Sequence, residues 1–123
     1  MKKQLLFVAT FILSLLLTHN LFSQNSYTVN AGNYYYTPSS LTINVGDTVF
    51  FYNNGGFHDV NGDVNSITGI SFNNPVSFYI PPASSPALIG SHVFNQAGTY
   101  QYDCSIGSHA ANGMVGQIIV NPS

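Results

Sequence analysis

The chain has 123 residues, the length of one domain of ordinary size. It carries only two Lys and Arg residues against four Asp and Glu, and 45% of its residues are hydrophobic. Nucleic acids and anionic lipid surfaces are both bound mainly through Lys and Arg side chains. The composition therefore argues against either of them as a partner.

The first 23 residues are typical of a secretory signal peptide. Two lysines precede an apolar run at residues 5–17, and a polar stretch ending in a small residue follows. The run is short for a membrane-spanning helix, which needs roughly 20 apolar residues. We therefore expect cleavage, with no membrane insertion afterwards, and an exported protein, periplasmic or secreted. The mature domain, residues 24–123, would contain no Lys or Arg.

The pattern beyond residue 23 is that of strands. No segment has a sustained helical period, and Gly, Pro and Asn interrupt the chain about every eight to twelve residues. Such spacing favours an all-β domain, an antiparallel sandwich or barrel. The predicted strands are Tyr27–Asn30, Leu41–Asn44, Thr48–Asn53, Val76–Ile80, Ala87–Phe94, Thr99–Asp103 and Val115–Asn121.

Two segments are predicted to lie outside the strands. Residues 61–74 are rich in Asn, Gly and Ser and predict a long surface excursion with a short strand or a helical turn. Residues 81–86 read Pro-Pro-Ala-Ser-Ser-Pro. They predict a rigid loop, because proline has no N–H to donate to a strand ladder.

Cys104 is the only cysteine. In an exported protein a single cysteine is an intermolecular partner, a reactive thiol or a metal ligand. His109 and Met114 follow it at intervals of five residues, between the ends of two predicted strands. This short loop can turn a thiolate, an imidazole and a thioether toward one volume. His58 can add a second imidazole from the end of a different strand.

Together these four side chains are a soft, mixed donor set of the kind that suits copper. Taken singly each is weak evidence, since a lone buried cysteine is usually a small core residue. Their combination predicts one metal site, with the ligands His58, Cys104, His109 and Met114.

At these residues the chain resembles the cupredoxins, the small blue copper proteins. The resemblance covers nearly the whole mature chain and implies a Greek-key β-sandwich of about seven or eight strands. It is carried by LTINVGDTVFF at residues 41–51, HDV at 58–60, AGTYQYDC at 97–104 and GMVG at 113–116.

The resemblance also implies a ligand arrangement and a function. His58, Cys104 and His109 would be the equatorial ligands of one copper ion. Met114 would be the weak axial ligand, which completes a blue-copper electron-transfer site. The implied protein is no enzyme but a carrier of single electrons between redox partners.

Two features depart from the family pattern. Four residues separate Cys104 from His109, where plastocyanin-like loops have two. Asp59 also follows the first histidine, where the family commonly has Asn. We expect Asp59 to accept a hydrogen bond from Ser105, and its charge to favour the oxidised site.

The expected route for electrons is the exposed edge of His109. We expect Ala110, Ala111, Gly113 and Pro or aromatic residues of other loops to surround it. A small uncharged patch suits weak, transient docking of a redox partner, and a chain with so few charges offers little electrostatic steering. We expect the protein to be a monomer.

Other interpretations stay open. The domain could be a copper carrier or storage module, or a copper-free adhesion or recognition sandwich, and one Cys with two His could also bind zinc. His92 is predicted to face solvent from its strand. A second copper site, as in copper enzymes, needs more histidines than His92 supplies.

Overall fold

A computed structural model describes residues 24–123, so the predicted signal peptide lies outside the described residues. Within them the chain forms nine strands and no helix, and hence no helix that could cross a membrane. The all-β prediction is confirmed, with a slightly larger number of strands. They are β1 (Ser26–Gly32), β2 (Tyr35–Thr37), β3 (Ser40–Asn44), β4 (Thr48–Asn53), β5 (Phe57–Gly62), β6 (Phe78–Ser84), β7 (Ala87–Val93), β8 (Gly98–Asp103) and β9 (Val115–Asn121).

The strands form two sheets, ordered β2-β1-β4-β7 and β3-β9-β8-β5-β6. The prediction of an antiparallel sandwich is wrong at two pairs, because β1 with β4 and β3 with β9 run parallel. Only strands joined by a tight hairpin are obliged to be antiparallel. Between β1 and β4 the chain passes through β3 in the other sheet, and it can therefore return in the same direction.

Aromatic side chains from both sheets interlock in the core. The ring of Tyr102 on β8 meets Tyr36 on β2 edge-on at 4.9 Å and Phe51 on β4 at 5.4 Å. Edge-to-face contacts of this kind add to the stabilisation from buried apolar area. All three side chains are at most 2% exposed, so this cluster fixes the spacing of the sheets beside Cys104.

Strands β2 and β5 are absent from the prediction. β2 has only three residues, and β5 reads Phe-His-Asp-Val-Asn-Gly, which does not alternate. Five of its six residues are buried, and the polar side chains among them are hydrogen-bonded. The Asp59 carboxylate accepts the Ser105 N–H, and the Asn61 amide donates to Asp103. A strand whose buried polar groups have partners need not show one polar and one apolar face.

The rigid loop predicted at residues 81–86 is wrong for its first four residues. β6 continues through Pro81 and Pro82 to Ser84. It is the edge strand of its sheet and pairs only with β5. A missing N–H is tolerated on the open side of an edge strand.

The predicted surface excursion is confirmed. Residues 63–77 leave the sheet between β5 and β6, with one isolated bridge from Val64 to Ser71. Asp103 at the end of β8 anchors the excursion. Its carboxylate accepts the Ser66 N–H at 2.7 Å, the Ser66 hydroxyl at 2.8 Å and the Asn61 amide at 2.8 Å. These bonds fix the backbone that leads into Cys104.

The prediction that His92 faces solvent is wrong. Its ring stacks on Phe78 at 4.8 Å and meets Phe94 edge-on at 4.7 Å, so the side chain is half-buried. The register between β4 and β7 shifts between Phe51 and Tyr52. A bulge of this kind reverses the inward and outward alternation along the strand, which turns His92 inward.

Burial lowers the pKa of His92, and this gives a pH dependence to test. Below an ordinary histidine pKa of about 6.5 the unfolded chain binds more protons than the fold. The free energy of unfolding should therefore fall as the pH drops from about 8 to about 5. His92→Phe keeps a stacking ring and should lose less stability over that range. Urea denaturation of both proteins measures the difference, and equal losses would contradict the prediction.

Candidate metal centre

Two parts of the five-stranded sheet bring the predicted ligands to one end of the sandwich. His58 lies on β5, while Cys104 follows β8 and His109 lies in the loop that leads to β9. This loop folds back on itself through two backbone hydrogen bonds. The Cys104 N–H donates to the Met114 carbonyl at 3.1 Å, and the Met114 N–H donates to the His109 carbonyl at 3.1 Å.

Three of the predicted ligand atoms form a compact triangle. The His58 and His109 Nδ1 atoms are 3.2 Å apart, and the Cys104 Sγ lies 3.8 Å from the first and 3.4 Å from the second. The centre of a triangle with these sides is about 2 Å from each corner, close to ordinary metal–nitrogen and metal–thiolate bond lengths. The three side chains therefore fit around a single ion.

The tautomer of His58 is fixed by the backbone. Its Nε2 lies 2.6 Å from the Gly55 carbonyl oxygen. A carbonyl can only accept, so Nε2 carries the hydrogen. The lone pair of the neutral ring is then on Nδ1, which faces Cys104 and His109. Outer hydrogen bonds of this kind orient metal-binding histidines in general.

Burial changes the pKa values of two of the predicted ligands, His58 and Cys104. His58 is 2% exposed and Cys104 is fully buried. Burial lowers the pKa of His58, against the hydrogen bond to Gly55, and so favours the neutral ring that can bind a metal. Burial raises the pKa of the Cys104 thiol. Metal binding should therefore release a proton from Cys104.

Met114 is fully buried at the base of the same loop, in one apolar cluster with Cys104. Its position next to β9 agrees with the site, because its backbone bonds to both Cys104 and His109. Its role as a fourth ligand stays a prediction.

Asp59 joins the two ligand-bearing segments. Its carboxylate accepts the Ser105 N–H at 2.8 Å, the Ser105 hydroxyl and the Tyr79 hydroxyl at 3.1 Å. The hydrogen bond from Ser105 confirms the expectation from the sequence. The Asp59 carbonyl also accepts the Tyr36 hydroxyl at 2.6 Å. Strand β5 is thereby tied both to the loop after β8 and to β2 in the other sheet.

A surface cleft of about 420 Å³ opens beside the two histidines. It is lined by residues of the β1–β2 turn, the β4–β5 turn and the loop after β8. Tyr34 contacts His109 directly, with ring centroids 5.3 Å apart and an interplanar angle of 76°. Tyr34 and Phe57 are 41% and 45% exposed. These two residues are aromatic neighbours of the kind that the sequence predicts around His109.

The predicted surroundings of His109 need one correction. Ala110 is buried, because the loop turns it inward, whereas Ala111 and Gly113 are exposed. Tyr34 is a neighbour of the site that the sequence did not predict. The only local indication of the turn that carries it is Asn33, and the strand that follows, β2, is too short to predict.

The chain matches known proteins over almost all the described residues. A family model described as copper binding proteins, plastocyanin/azurin family, matches residues 23–121. Plastocyanin of Vicia faba is 34% identical over 91 residues, which cover 70% of this chain and 87% of that protein. The chloroplastic plastocyanin of Pisum sativum is 35% identical over 88 residues, or 70% of this chain. The chain matches only about half of that protein, 51% of its length.

Solved structures agree. A purple cupredoxin from Nitrosopumilus maritimus superposes with a TM-score of 0.60 at 27% identity, covering 77% of this chain and 99% of that one. Amicyanin from Paracoccus versutus gives a TM-score of 0.53 at 25% identity, covering 78% and 81%.

The chain therefore belongs to the plastocyanin/azurin family of copper-binding proteins. Proteins of this family bind one copper ion and carry electrons, and they are not enzymes. The predictions of membership in the cupredoxins, a copper cofactor and a non-enzymatic protein are confirmed.

Gly56 gives a test of the His58 geometry. Its φ is +91°, and a Cβ there would lie 2.8 Å from the His58 Nε2 atom. Gly56→Ala should push the ring away from the Gly55 carbonyl and weaken copper binding about tenfold, as loss of an outer hydrogen bond commonly does. Gly69→Ala is the control, since its φ is +72° and its Cβ would meet nothing within 4 Å. Competition titration with a chelator measures both, and equal affinities would contradict the prediction.

Proposed function

We propose that the protein is an exported type 1, or blue, copper protein that carries single electrons between redox partners. The ion would be bound by His58, Cys104, His109 and Met114. The observation that supports this most directly is the triangle of one sulfur and two Nδ1 atoms, all three turned toward one point.

Copper supplies the redox chemistry, since it takes up and gives back one electron, and the protein supplies a fixed set of ligands. His58 is fixed by β5 and by its bond to Gly55. Cys104 is fixed between Asp103, bound to the excursion, and Ser105, bound to Asp59. Ligands fixed in this way move little when the charge of the ion changes, which favours fast electron transfer.

The partner would dock over the cleft beside His109. Of the three clustered ligands only His109 is partly exposed, so it offers the shortest path from the ion to the surface. Tyr34 and Phe57 make the rim apolar, and the mature domain has no Lys or Arg. We propose weak and transient docking of a redox protein, in which shape matters more than charge. We further propose a monomer.

The burial of His58 and Cys104 also bears on the alternative function of a copper carrier. A copper carrier must release its ion to an acceptor, whereas His58 and Cys104 are almost completely buried. That burial favours a resident ion. Export, to a periplasm or out of the cell, is supported by the predicted signal peptide at residues 1–23.

Spectra of the mature domain with added Cu(II) test the proposal. A thiolate bound to Cu(II) gives an intense visible band, which Cys104→Ser should abolish. His92→Phe leaves the triangle intact and should keep the band, because His92 lies in the Phe78 cluster. Electron paramagnetic resonance and reversible reduction complete the test. A colourless wild-type protein would overturn the proposal, and ready transfer of copper to an acceptor would favour the carrier.

The charge of Asp59 leads to a prediction about reduction potential. Asn at this position can still accept the Ser105 N–H, but it carries no charge to stabilise Cu(II). A unit charge within about 10 Å is worth on the order of 1–2 kcal/mol at an effective dielectric constant of about 20. Asp59→Asn should therefore raise the reduction potential by roughly 50 mV. For a one-electron couple, about 59 mV corresponds to a tenfold change in the equilibrium constant.

Voltammetry of the two proteins measures that shift. Asp63→Asn is the matched control, since Asp63 is exposed and carries the same charge. Solvent should screen it, and its effect should be much smaller. An unchanged or lower potential in Asp59→Asn would count against the role given to the carboxylate.

A further inference from the structure

The two histidines of the triangle are oriented by different means. His58 donates from Nε2 to the Gly55 carbonyl at 2.6 Å. Within residues 24–123, the hydrogen-bond contacts of the His109 side chain are those of Nδ1, to His58 and Cys104. Metal-binding histidines almost always donate the other ring N–H to a partner that fixes the ring plane. His109 has no such partner among the described residues, although it lies on a loop and is partly exposed.

What contacts the His109 ring instead is an aromatic side chain. Tyr34 packs against it edge to face, with centroids 5.3 Å apart and planes at 76°. This is a favourable geometry for two aromatic rings. His58 provides the other ring contact, at 5.0 Å and 58°. The His109 imidazole thus has two ring contacts, one with the predicted ligand His58 and one with Tyr34.

The backbone at Tyr34 is unusual for such a residue. Strands β1 and β2 are joined by the two residues Asn33 and Tyr34, and Tyr34 has a φ of +64°. Positive φ in a two-residue hairpin turn is normally taken by Gly or Asn, and for a bulky side chain it is an outlier. Local preference therefore acts against Tyr at this position. Strained residues of this kind occur where the surrounding structure has a use for them.

We infer that Tyr34 is a positioning residue for His109. Its ring takes the place of the missing outer hydrogen bond and keeps the imidazole turned so that Nδ1 faces Cys104 and His58. The inference rests on the proposed function, in which His109 is a copper ligand. It predicts that loss of the ring loosens the His109 side of the site and leaves the His58 side intact.

Tyr34→Gly separates this role from a role in the turn. Glycine adopts positive φ without strain, so the metal-free protein should unfold at the same temperature or higher. The copper-loaded protein should nevertheless release its ion to a chelator about three- to tenfold faster, the factor that an ordinary aromatic pair is worth. Its Cu(II) electron paramagnetic resonance spectrum should also change, because the imidazole would take up more than one orientation.

Two further variants complete the experiment. Tyr34→Phe retains the ring and should release copper at the wild-type rate. Tyr35→Ala removes the neighbouring exposed ring, which lies over Gly32. It should also behave as the wild type.

The outcomes are distinct. Wild-type release and spectrum in Tyr34→Gly would overturn the inference and leave the proposed function standing. Equal acceleration in Tyr34→Gly and Tyr35→Ala, or a matching loss of metal-free stability in Tyr34→Gly, would show general loosening and would also overturn it. A wild-type protein without the blue band would remove the proposed function, and the inference would fall with it.

Discussion

The geometry of the site depends on the hydrogen bonds that the Asp59 carboxylate accepts from Ser105. Asp59 lies one residue from His58 and accepts two hydrogen bonds from Ser105, one residue from Cys104. Two segments far apart in the chain are thereby held at one distance, and the separation of the imidazole from the thiol follows from it. Because Asp59 is completely buried, water does not compete for these bonds. The triangle of donor atoms is thus a property of the scaffold, not of one loop.

Burial decreases across the triangle from the core to the surface. His58 and Cys104 are buried on or beside strands, whereas His109 lies on the loop and reaches the cleft. An electron carrier needs both properties, since fixed ligands limit rearrangement and an accessible ligand shortens the path to a partner. The packing of Tyr34 on His109 reconciles them, because it confines the ring without burying it fully.

The absence of Lys and Arg from residues 24–123 shapes the rest of the molecule. Three of the four aspartates, Asp47, Asp59 and Asp103, are at most 1% exposed. Each is satisfied by N–H and hydroxyl donors instead of a cation; Asp47, for example, accepts the N–H groups of Asn25 and Asn44 at 2.9 Å. Buried carboxylates serve here as structural acceptors that fix turns and strand ends. They leave a surface with little charge.

The sequence by itself determined what is local. The spacing of Cys104, His109 and Met114 defined the loop that carries three of the predicted ligands. Runs of β-branched and aromatic residues between turn residues predicted β4 and β9 with the bounds that the structure has. Tertiary structure decided what arises from contact between distant segments. β5 is a strand because neighbours cover both of its edges, a bulge turned His92 inward, and Tyr34 reached His109 only because the β1–β2 turn meets the ligand loop. Periodicity records which face of an isolated strand is apolar, but it carries no information about which strands become neighbours.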